Sequence, residues 1–124
     1  MRTPLAHARG LGSAKDGTEH FWRQRLTAVA LVPLIIWFVV SIVAMSGADH
    51  AAMIAWLKQP VPAVAMLLFI AAGFVHLRLG MQVIIEDYVT SDGAKIALLM
   101  LNTFFCAAVG LASVLAVLKI SFGA

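Results

Sequence analysis

His76 lies inside a long apolar run, in the stretch GFVHLRLGMQVIIEDY that covers Gly73 to Tyr88. On a helix, His76, Gly80, Val83 and Asp87 fall at i, i+4, i+7 and i+11, which is one face. Gly73 lies on the same side, three residues before the histidine. One face therefore carries an imidazole flanked by two positions with no side chain. An imidazole so placed can ligate a metal, or it can hydrogen-bond to a neighbouring helix. Tyr88 follows His76 by twelve residues, roughly 18 Å along a helix. The imidazole would sit near mid-membrane and the phenol near its edge.

The glycines bear on the choice between those two readings. A flat macrocycle needs the backbone to come close, and Gly73 and Gly80 would permit that. Haem iron takes a histidine through a ring nitrogen. One span offers one such ligand, so the other axial ligand would come from another chain. Tyr88 suits an ordinary aromatic belt at the membrane edge. Its hydroxyl could equally donate a hydrogen bond to a quinone carbonyl, with Asp87 as a proton relay beside it. Arg25, at the mouth of the first apolar run, could meet a haem propionate or the quinone side, or anchor to lipid phosphate. Arg78 points off the histidine face. It could snorkel, pair with an acid on a neighbour, or meet a propionate. Asn102 suits a hydrogen bond between helices, His50 a solvated loop, and Cys106 a small buried hydrophobe.

These side chains need a membrane to hold them. Of the 124 residues, 62% are hydrophobic and 12% charged. A soluble domain of this length has too little interior to hide that much apolar surface. Three runs are long enough to cross the hydrocarbon core: residues 26–45, 62–85 and 96–118. Pro33 lies inside the first and should kink it. Trp37, mid-run, should pack on a neighbour. Between the first two runs, AAMIAWL could lie as a short interfacial helix with Trp56 at headgroup depth, ended by Pro60 and Pro62. Gly110, with Ala107, Ala108, Ala112 and Ser113, suits close helix packing in the third. Residues 1–25 read as a basic arm, with Asp16 or Thr18 capping a helix that begins near Glu19.

The expected fold is an all-α membrane protein of three transmembrane helices. The arm holds five Lys or Arg and the second loop holds Lys95, against Lys58 and Lys119 on the other side. The positive-inside rule then puts the N-terminus inside, the C-terminus outside, and Tyr88 on the inner side. The arm lacks the apolar core of a secretory signal. Its acid-free first fifteen residues have a faint presequence character. The expected home is a bacterial inner membrane, with the mitochondrial inner membrane second.

The pattern H-x-x-x-G-x-x-x-x-x-x-D-Y, here His76, Gly80, Asp87 and Tyr88, resembles the hydrophobic membrane anchor of succinate dehydrogenase, respiratory complex II. The segment RLTAVAL, Arg25 to Leu31, is similar to that family too, as are the span order and length. The resemblance implies a second anchor subunit of the cytochrome b556 type, packed against this chain. It implies an iron–sulfur subunit and a flavoprotein docked on the inner side. It implies haem b between the anchors with His76 as this chain's axial ligand, and ubiquinone hydrogen-bonded to Tyr88 near Asp87. Arg25 is carried over more loosely, to the propionate or quinone neighbourhood. Two departures stand out. Arg78 is an unexpected charge within the motif. Many members follow Tyr-Val with histidine, whereas Val89 precedes Thr90 here, which leaves proton delivery open.

The chain holds no dinucleotide glycine fingerprint and no cysteine cluster. It would not oxidise succinate alone. The related alternatives are the anchor of a fumarate reductase and a membrane scaffold that carries no cofactor.

Overall fold

The computed structural model describes residues 14–123, with side chains from residue 18 onward. Four helices follow one another: α1 (Ala14–Ala44), α2 (His50–Leu57), α3 (Pro60–Tyr88) and α4 (Asp92–Phe122). Three of them are long and apolar enough to cross a membrane. At 29 to 31 residues, they are roughly 45 Å long, well beyond a 30 Å hydrocarbon core. Each helix overruns its apolar window because a helix satisfies its own backbone, so polar ends extend it at no cost in hydrogen bonds. The second half of the expected arm is accordingly helical. Asp16 and Thr18 lie within α1, not at its cap; residues 1–13 lie outside the described residues.

Local chemistry sets the other boundaries. α1 continues through Pro33, as membrane helices allow. Gly47, with φ of +87°, lets the chain leave α1 in a turn that most residues resist. Asp49 caps α2, accepting a hydrogen bond from the Ala52 N–H at 2.9 Å. Pro60 opens α3 in its first turn, where a missing N–H is harmless. Ser91 caps α4 and accepts from the Ala94 N–H.

α3 is the middle helix. It packs against α1 on one side and α4 on the other, while the α1 and α4 backbones stay apart. Phe38 meets Phe69 across α1 and α3, with ring centroids 4.9 Å apart. Gly110 of α4 is buried against the Phe74 ring. Asn102 donates to the Arg78 carbonyl at 3.0 Å and accepts from the Cys106 thiol, so it joins helices as its position within the run suggests. α2 folds back under the bundle. Trp56 stacks on Trp37 at 5.7 Å, and the Ser121 hydroxyl donates to the Leu57 carbonyl at 2.8 Å. This flat arrangement leaves few residues shielded, among them Leu31, Leu79, Ile85, Cys106 and Val117.

Candidate functional site

The polar residues gather where α1 and α3 meet. His20, Gln24, Thr27 and Leu31 fall at i, i+4, i+7 and i+11 of α1, one face. Leu31 is buried and the other three half-buried. The facing strip of α3 contains His76 and Gly80. The Thr27 hydroxyl oxygen lies 3.2 Å from His76 Nδ1. A side chain at Gly80 would lie 3.6 Å from the Gln24 amide nitrogen. The space left by Gly80 thus lies over Gln24 of α1. At Gly73 a side chain would meet nothing within 4 Å, so the bare backbone there opens outward.

The histidines are not equivalent. His20 Nε2 is sealed among the helices with no partner, like Gln24 Oε1 beside it. His50 is exposed at the start of α2, at the opposite end of the bundle. His76 is held at one nitrogen only. Nδ1 meets Thr27, while Nε2 makes no hydrogen bond among the described residues and is not sealed off. Among the described residues, no three His, Cys, Asp or Glu side chains converge to hold a metal ion by themselves. A porphyrin brings its own nitrogens and asks the protein for axial ligands alone. A ring fixed at one nitrogen and bare at the other fits that demand.

The remaining candidates lie towards one end. Because α1 and α3 run antiparallel, the start of α1 and the end of α3 share that end, with the start of α4. Arg25 is exposed and lies over the Phe21 ring, 5.4 Å from its centroid. Arg23 pairs with Glu19 at 2.9 Å, and Gln82 donates to Glu86 at 3.0 Å. The side chains of Asp87 and Tyr88 are exposed and make no hydrogen bond among the described residues. No hydrogen bond or ion pair joins Arg25 to either. Arg78 is exposed and its guanidinium has no ion pair among the described residues. Thr27, Gln24 and His20 were not singled out from sequence. The signal was there in part: all three are polar, at helical spacing, in the stretch that leads into the first apolar run.

Residues 1–112 match the model of the succinate dehydrogenase/fumarate reductase transmembrane subunit family. The chain belongs to that family. It is 34% identical to the succinate dehydrogenase hydrophobic membrane anchor subunit of Paracoccus denitrificans, over 98% of this chain and 94% of the relative. The protein of the same name in Rickettsia bellii is 32% identical, over 85% and 84% of the two chains. A succinate dehydrogenase membrane anchor subunit of Reclinomonas americana is 32% identical over 70% of this chain and 75% of its own. In this transmembrane subunit, the polar α1–α3 junction lies within the matched region, and so does the exposed end of α3.

Proposed function

We propose that this chain is the hydrophobic anchor of a succinate:ubiquinone oxidoreductase, oriented with its N-terminus inside. It holds the flavoprotein and iron–sulfur subunits to the membrane. With a second, cytochrome b556-type anchor it completes a haem b site and a ubiquinone site. The family match supports the complex, and the names of the relatives favour succinate oxidation over fumarate reduction. The observation that carries the haem site is the state of His76: one nitrogen tied to Thr27, the other bare.

Each residue then has a task. His76 Nε2 would hold the haem iron from this chain's side. Bound haem b supplies a one-electron carrier between the anchors. Gly73 and Gly80 keep bulk away from the ligand's helix. At the inner end, the Tyr88 hydroxyl donates to a quinone carbonyl and orients the ring. Asp87, one residue away and solvated, receives protons from water and passes them towards the quinone. Arg25 stabilises negative charge on a propionate or on the reduced quinone. In a bilayer this polar end would meet water and the apolar middle would not, so proton uptake belongs here.

The deciding measurement is the dithionite-reduced minus oxidised spectrum of the purified complex. Wild type should show a b-type band, and His76→Ala should lose or shift it. An unchanged band in His76→Ala would remove the ligand assignment, and a colourless wild-type complex would favour a plain scaffold.

A further inference from the structure

The hydrogen bonds of Thr27 decide which nitrogen of His76 is free. A threonine hydroxyl has one hydrogen and two acceptor lone pairs. Here Oγ1 lies 2.9 Å from the Arg23 carbonyl and 3.0 Å from the Gln24 carbonyl. Donation back to such a carbonyl is common for threonine in a helix. The single hydrogen is committed there, since carbonyl oxygens can only accept. With the hydrogen so placed, the hydroxyl lone pairs face His76 Nδ1, 3.2 Å away, which then donates to them. The opposite arrangement would turn the hydroxyl lone pairs towards two carbonyl oxygens. It would also put a hydrogen on Nε2, and a protonated nitrogen cannot bind iron.

We propose that Thr27 is a positioning residue for the haem ligand. Its hydroxyl accepts the Nδ1–H of His76, fixes the tautomer and the ring plane, and keeps the Nε2 lone pair available to iron. The inference rests on the reading of His76 as the axial ligand. It adds a residue on a different helix, so the cofactor site depends on how α1 docks against α3. An acceptor on Nδ1–H also makes the imidazole a stronger electron donor. A stronger donor favours ferric over ferrous iron and lowers the haem potential.

The test uses the whole complex, purified with all its subunits. Thr27→Val keeps the branched shape and replaces the hydroxyl with a methyl. Thr27→Ala removes the hydroxyl without adding bulk, so it assembles even if valine crowds the ring. Thr27→Ser retains the oxygen. Both hydroxyl-free variants should lose about tenfold in haem retention, at the lower end for an outer-shell partner of a ligating histidine. They should also shift the ferric-to-ferrous balance by roughly tenfold, which raises the midpoint potential by about 59 mV for a one-electron couple. The low-spin ferric resonance should change, and Thr27→Ser should restore wild-type values. Suppose His76→Ala loses the haem while Thr27→Val and Thr27→Ala keep the wild-type potential and resonance. Thr27 then has no positioning role, although the ligand assignment stands. If His76→Ala keeps the haem, the ligand reading falls and takes this inference with it.

Discussion

Tyr88 presents its ring almost free of its own chain, 79% exposed, with a hydroxyl that has no hydrogen bond among the described residues. Deleting that hydroxyl removes nothing the fold uses, so any loss reports on function. The hydrogen bond it would give a quinone carbonyl is worth about 1 kcal/mol, roughly a fivefold change in rate. Tyr88→Phe should slow quinone reduction by about that factor. Reduction of an artificial dye by the soluble subunits should stay at wild-type speed. Equal losses in both assays would point to a docking defect and end the quinone role. His76 was picked out in sequence because an imidazole is unusual in an apolar run, and Tyr88 because Asp87 stands beside it at the membrane edge. Thr27 was not. It stands 49 positions from His76, and only the register of two helices brings them together.

At the scale of elements, two glycines with the same appearance in sequence behave differently. Gly110 is buried, and a side chain there would come within 3.3 Å of the Phe74 ring. That contact holds α3 and α4 close. Gly110→Leu should force them apart at a cost of about 1–3 kcal/mol. Thermal unfolding of the detergent-solubilised complex should show it as a lowered midpoint; an unchanged midpoint would mean the ring moves aside freely. Gly73 has open space where its side chain would be, so this chain gives no packing reason for a glycine there. The three long helices were readable from uninterrupted apolar length, since the hydrocarbon core sets a minimum. Their ends were not. Polar overhangs such as Ala14 to Arg25 carry no apolar period, yet they extend a helix already nucleated. The Ser121 tie to Leu57 and the stacking of Trp37 on Trp56 were hidden for another reason. Both depend on α2 folding back beneath the bundle, a tertiary choice.

Among the described residues the three long helices lie with α3 between α1 and α4, and a charge sits on their exposed surface. Arg78 is ten residues from Tyr88 along α3, roughly 15 Å from the membrane edge that Tyr88 marks. A guanidinium does not shed its proton. Near the bilayer centre it costs about 2.5–3.5 kcal/mol, and no described residue of this chain pairs with it. Lipid phosphate lies beyond the reach of an arginine stem at that depth. A carboxylate on a neighbouring subunit or on a cofactor would supply the counter-charge that the described residues do not. Arg78→Leu should therefore insert normally, because it makes the span more apolar, but assemble poorly. It would strand the opposing carboxylate, and breaking a buried pair from one side costs about 3–5 kcal/mol. Arg78→Lys keeps the charge and should recover most of the assembly. Membrane levels of this chain measure insertion, and co-purified partner subunits measure assembly. A leucine variant that brings down its partners at wild-type yield would show that the guanidinium faces lipid after all, reaching water by a local thinning of the bilayer.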